Sequence, residues 1–126
     1  MKKIINTSNA PAPIGPYNQA ILSNGTLYIS GQIPLNPKNG ELVSGDIKKE
    51  TKQSMENLKA ILAKAEMTFE NVVKSSIFLS DMKQFTEVNE VYASYFNAET
   101  APARETVEVA NLPKFVNVEI SMIAVK

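Results

Sequence analysis

Val72-Val73-Lys74-Ser75-Ser76-Ile77-Phe78-Leu79 is the stretch on which the fold turns. It is rich in β-branched and apolar residues, and Ile77, Phe78 and Leu79 in succession are too apolar to leave either side to water. The run reads as a central strand within residues 71–80. On both sides of it the hydrophobic period changes. Upstream, across residues 46–65, Ile47, Met55, Leu58, Ile61, Leu62 and Ala65 recur on one helical stripe. Lys48, Lys49, Lys52, Glu56 and Lys59 fall mostly elsewhere, so the segment reads as a long amphipathic helix. Asp46 stands where an N-cap or first-turn acid belongs. Downstream, Asp81 and Gln84 have capping-box spacing ahead of a second helix, with stripe Met82, Phe85, Val88, Val91, Tyr92, Tyr95 and Phe96.

Further out the chain returns to strands. Residues 17–23 and 26–30 flank Asn24-Gly25, a pair that tolerates the positive φ of a tight hairpin. The preceding Ala10-Pro11-Ala12-Pro13-Ile14-Gly15-Pro16 is too proline-rich for a helix or a central strand and reads as an ordered arm. Pro102 ends the second helical region, and residues 104–110 and 115–125 read as two further strands joined around Leu112-Pro113. In the last strand Val118, Ile120, Met122 and Ala124 share one face, leaving Glu119 and Ser121 on the other. The order is β-β-β(short)-α-β-α-β-β. It predicts one α+β domain over residues 1–126, with two helices on one face of a mixed sheet. The opposite face would carry Tyr28, Ser30, Glu119 and Ile123, a mixture that a homo-oligomer would cover.

Composition narrows the chemistry. The chain has no Cys, no His and no Trp, which excludes disulfides, thiolate nucleophiles, imidazole bases and the usual zinc or iron ligands. No metal site is expected. Thirteen basic residues balance thirteen acidic ones, so no global field recruits nucleic acid or an anionic membrane. No membrane-spanning run or secretory signal core is seen, and a cytoplasmic location is expected. Twelve of the thirteen basic residues are Lys; Arg104 alone is Arg. Where Lys serves everywhere else, the one guanidinium points to a need for a planar, two-pronged donor.

Several blocks, in order, resemble one family. Ala12-Pro13-Ile14-Gly15-Pro16-Tyr17, Ser30-Gly31-Gln32-Ile33-Pro34, Pro102-Ala103-Arg104 with Val107-Glu108-Val109-Ala110, Leu112-Pro113-Lys114 and Val118-Glu119-Ile120 are similar to the RidA family of enamine/imine deaminases. The resemblance spans essentially the whole chain. It implies a chorismate-mutase-like protomer, a homotrimer with sites between subunits, and hydrolysis of 2-iminopropanoate (from 2-aminoacrylate) and 2-iminobutanoate to 2-oxo acids and ammonia. No cofactor is implied, because the elimination that makes these substrates happens on another enzyme.

The resemblance also assigns residues. Arg104 becomes the carboxylate clamp and Glu119 the group that positions water and handles protons. Tyr17 takes a place in the cleft, Ser30 and Gly31 offer a hydroxyl and backbone donors, and Asn89 supports. Thr106 stands where many members have Cys, on the same side of its strand as Arg104. Plainer roles compete with each assignment. Arg104 could pair with Glu105 or Glu108, Glu119 could bond across an interface, Tyr17 could pack beneath the proline-rich arm, and Ser30 and Asn89 could be structural. A non-catalytic module that binds small carboxylates is the alternative function. Ribonuclease activity, attached to some members, is poorly served by zero net charge, one Arg and no His.

Overall fold

A computed structural model describes residues 1–126. The elements are β1 (Lys2–Ile5), β2 (Ala20–Ser23), β3 (Thr26–Gln32), α1 (Ile47–Lys64), β4 (Val72–Leu79), α2 (Phe85–Ala93), β5 (Ala103–Glu108) and β6 (Val118–Val125). They form one six-stranded sheet in the order β1-β2-β3-β6-β4-β5. Only β4 and β5 pair in parallel; the other neighbours are antiparallel. The expected α+β architecture is therefore present.

Connectivity explains why both helices lie on one face. The β3-α1-β4 and β4-α2-β5 units each join strands of the same direction, and both step the same way across the sheet. Right-handed crossovers then bring both helices to the same side. The core lies between them and the sheet. Leu27, Met55, Leu58, Ile61, Leu62, Ile77, Leu79, Val118 and Ile120 are all at most 1 % exposed.

Local signals hold where the chemistry is local. Asn24 and Gly25 have φ of 51° and 80°, as a two-residue hairpin turn requires, and Ser23 pairs with Thr26 across it. Asp46 caps α1, its carboxylate accepting from the backbone N–H groups of Lys48 and Lys49.

Other boundaries moved. The third strand before α1 is Lys2–Ile5, not a segment after the hairpin, where only a single bridge joins Leu35 to Leu42. β2 starts at Ala20 because Asn18 and Gln19 are held as a loop: Gln19 Nε2 donates to the carbonyls of Thr7, Ala10 and Pro11. No capping box precedes α2. Asp81 instead caps a short 3-10 turn, Met82–Gln84, through Lys83 N–H. The last strand begins at Val118 rather than at Phe115, since Lys114 and Phe115 both have φ of 55° and turn the chain. Within α1 the buried face also holds Glu50, Thr51, Ser54 and Asn57. Glu50 accepts from Asn117 Nδ2 at 3.1 Å, and burial raises its carboxyl pKa above the usual carboxylate range.

Candidate functional site

Strand pairing decides which side of the sheet each candidate occupies, because partners in register share a face. Arg104 pairs with Ser75, and Ser75 with Met122; Thr106 pairs with Ile77, and Ile77 with Ile120. Met122, Ile77 and Ile120 all belong to the helix-covered core, so Arg104 and Thr106 share the helix side, at the edge strand β5. Glu119 pairs with Phe78, and Phe78 with Val107. These three lie on the open side. Within one chain, the guanidinium and the carboxylate therefore belong to opposite faces of the same sheet.

The Arg104 side is built by α2. Phe85, Asn89 and Tyr92 occupy i, i+4 and i+7 of that helix and so form one stripe. Arg104 Nη1 donates to Asn89 Oδ1 at 2.7 Å. Its guanidinium carbon lies 4.9 Å from the Tyr92 ring centroid and 5.7 Å from that of Phe85, within cation–π range. The Tyr92 hydroxyl donates to Ser75 Oγ at 2.8 Å, and burial raises the phenol pKa, so the ring is neutral and fixed. No carboxylate pairs with Arg104; the two ion pairs of the chain are Lys48–Glu90 and Lys74–Glu105. The alternative of a surface ion pair with Glu105 or Glu108 is thereby set aside. Two residues along, the Thr106 hydroxyl is buried with no hydrogen-bond partner. This corner thus holds an oriented cation whose charge no acid answers.

The open side is shaped by a bulge in β3. Ile29 opposes Met122 and Gln32 opposes Ile120, which leaves Ser30 and Gly31 against Ser121 alone. A Cβ at Gly31 would lie 2.7 Å from the Glu119 carboxyl carbon, so the missing side chain is what lets Glu119 lie across the bulge. Half-burial without a charge partner raises the Glu119 pKa above the usual carboxylate range. Ser30 donates its hydroxyl to the Asn18 carbonyl at 2.7 Å, a bond that ties the arm to the sheet. Tyr17 is half exposed and shares a narrow crevice with Gly31 and Lys114. Its hydroxyl accepts from Ile14 N–H at 3.4 Å.

The structure thus gathers Arg104, Asn89 and Thr106 in one group, and Glu119, Gly31, Ser30 and Tyr17 in another. Phe85 and Tyr92 stand in the sequence only as members of the second helix's apolar stripe, although their spacing around Asn89 is a signal for this site. Lys114 belongs to the second group by position; its block Leu112-Pro113-Lys114 is part of the family resemblance, but no role follows from the sequence for Lys114 itself. No cluster of three acidic, His or Cys side chains forms a metal site.

Comparison with known proteins identifies the family and the fold. A family model described as Endoribonuclease L-PSP matches residues 7–126. A RutC family protein of Pyrococcus horikoshii is 54% identical over 126 residues, covering 100% of this chain and 99% of that one. A mouse (Mus musculus) protein named 2-iminobutanoate/2-iminopropanoate deaminase is 48% identical over 126 residues, covering 100% and 93%. The crystal structure of E. coli TdcF with bound serine superposes with a TM-score of 0.92 at 40% identity, covering 98% of each chain. Family names thus divide between deaminase, endoribonuclease and RutC. With full-length similarity to all of these and the same fold, the chain belongs to the RidA family, whose model carries the endoribonuclease L-PSP description.

Proposed function

We propose that this protein hydrolyses reactive 2-imino acids, 2-iminopropanoate and 2-iminobutanoate among them, to 2-oxo acids and ammonia. The observation that carries the reading is Arg104: a guanidinium oriented by Asn89 Oδ1 and by the Tyr92 ring, with no acid paired to it. Such a group answers a carboxylate supplied from outside. Relatives named as deaminases of these imines, and one relative holding serine, support a small α-substituted carboxylate as the ligand.

Because Arg104 and Glu119 belong to opposite faces of one sheet, a site using both needs two chains. We assign the Arg104, Asn89 and Thr106 group to one subunit and the Glu119, Gly31, Ser30 and Tyr17 group to its neighbour, in a homotrimer. The edge strand β5 and the open face carrying Tyr28 and Ile123 are the surfaces such an assembly would cover.

The reaction asks little of the protein. Arg104 holds the carboxylate and so fixes the C=N carbon, which is electrophilic once its nitrogen is protonated. Ionised Glu119 takes a proton from water as the oxygen bonds to that carbon, giving a carbinolamine. It returns the proton to nitrogen; the C–N bond breaks and ammonia leaves as the oxygen gives its proton to Glu119 and the carbonyl forms, and Glu119 then passes that proton to the departing ammonia. A raised carboxyl pKa suits both halves of this exchange. No thiol takes part, so Thr106 in the place of the common Cys is compatible with turnover.

The deciding experiment follows ammonia release from enzymatically generated 2-aminoacrylate. Wild type should accelerate it, and Glu119→Gln should keep product binding while losing turnover. Binding without acceleration in the wild type would favour the non-catalytic carboxylate-binding module.

A further inference from the structure

Glu50 is a buried acid for which the proposed reaction has no use. It lies in the first turn of α1, 3 % exposed, and no cation pairs with it. A lone carboxylate in the interior is costly, so its partner is informative. That partner is Asn117, whose Nδ2 donates to the two carboxylate oxygens at 3.1 and 3.5 Å. The backbone N–H of Asn117 also favours the ionised form. Ser80 takes the remaining polar groups of Asn117: Oδ1 accepts from Ser80 Oγ at 2.8 Å, and the carbonyl accepts from Ser80 N–H at 3.1 Å. Helix α1 and the end of β4 thus grip Asn117 from two sides.

Asn117 joins a strained turn to the strand that carries Glu119. Before it, Lys114 and Phe115 are both left-handed without being glycine, and Lys114 borders the crevice of Tyr17 and Gly31. After it, the ladder between β4 and β6 pairs Leu79 with Val118 and Phe78 with Glu119. Ser80 with Asn117 is the next rung outward, so Glu119 stands close to an end that would fray if it were not tied. Resting on the deaminase reading for the role of Glu119, we propose that Glu50 is a positioning residue. Through Asn117 it fixes the first rungs of β6, and so holds the Glu119 carboxyl in its place across the Gly31 bulge. Glu50 itself touches no substrate.

Turnover of the imine formed from 2-aminoacrylate, measured well below the melting transition, separates positioning from mere support. Glu50→Leu takes the acceptor from Asn117 and should lower kcat about tenfold, with KM within about twofold, because Arg104 is untouched and a misplaced carboxylate costs rate more than binding. Glu50→Gln still accepts from Nδ2 and should keep kcat near wild type. Glu50→Leu combined with Asn117→Leu puts apolar groups in place of both partners, which restores stability but not the grip. Its melting temperature should therefore recover while its kcat stays low. Recovery of kcat along with stability, or an unchanged kcat in Glu50→Leu, would overturn the proposal. A readout without turnover keeps the two claims apart. By carbon NMR, the Glu119 carboxyl of the double variant should titrate closer to the ordinary glutamate value than that of the wild type, since a released side chain reaches water. That difference, with no imine hydrolysis by the wild type, defeats the deaminase and leaves the clamp; hydrolysis with kcat and titration both unmoved in the variants defeats the clamp and leaves the deaminase.

Discussion

The two faces of strand β6 use alternate residues of one short segment for different ends. Val118, Ile120, Met122 and Ala124 are at most 2 % exposed under the helices, whereas Glu119, Ser121 and Ile123 stay half-buried on a side that no helix covers. On the covered side, free energy comes from close packing, and a polar atom is tolerated there only with a partner. Tyr92 with Ser75 and Glu50 with Asn117 obey that rule. Two hydroxyls break it: Ser54 within α1, and Thr106 on the strand that carries a guanidinium without an acid partner. The open side has the reverse pattern: apolar groups left uncovered and a carboxylate with a raised pKa. Each face thus holds half of the proposed site, and each departs from its own rule at one of the residues assigned there, Thr106 and Glu119.

The comparison breaks soonest at Arg104. Arg104→Ala should lower kcat/KM for imine hydrolysis at least tenfold while circular dichroism and melting stay near wild type, since a charge-assisted anchor is worth roughly 1.5–3 kcal/mol. Arg104→Lys should fail as well, because an ammonium cannot present the planar fork. Unchanged turnover in Arg104→Ala would remove the covered face from the mechanism. On the open face, Gly31→Ala puts a methyl group where the Glu119 carboxyl lies, so Glu119 must swing away. Turnover should fall about tenfold with product affinity changed less; parallel losses in both would mean that Glu119 only binds.

A pH profile sharpens the same point. Glu119 must be ionised to accept a proton, and burial raises its pKa. Activity should therefore fall on acidification through a midpoint above the ordinary glutamate value, and Glu119→Gln should abolish that limb along with most turnover. Two smaller effects belong to the covered face. Tyr92→Phe leaves Ser75 Oγ without its partner while keeping the ring against Arg104, and should cost about 1–2 kcal/mol in urea unfolding with little change in kcat. Glu50→Gln retains an acceptor for Asn117 and removes a buried charge. Because the folded pKa of Glu50 is raised, its contribution is present below the unfolded value and is lost as pH rises through the folded one. The variant should therefore gain of order 0.5 kcal/mol at pH 7 and lose that advantage in acid.

Much of this was legible residue by residue. α1 declared itself by period and by Asp46, the hairpin by Asn24-Gly25, and Arg104 by being the single guanidinium of the chain. Lys2–Ile5 was missed because four residues with two lysines carry no alternation, and it becomes a strand only by pairing with β2. Hydrophobicity alone places Phe115 in a strand; it is 81 % exposed because two successive left-handed residues turn the chain there. The division of the candidates into two groups was not legible. Alternation places Arg104 with Thr106, and separately Glu119 with Ser121, but it says nothing about one strand relative to another.

What the amino-acid sequence determined by itself was the hairpin, both helices, the strands that follow them and the chemical inventory: no thiol, no imidazole, one guanidinium. These follow from local periodicity, capping and composition, which need no partner strand. What only the tertiary structure decided was the face each functional side chain takes. That parity is set by hydrogen-bond register across β4, β5 and β6 and by the extra residue in the β3 bulge, and a shift of one residue would reverse it.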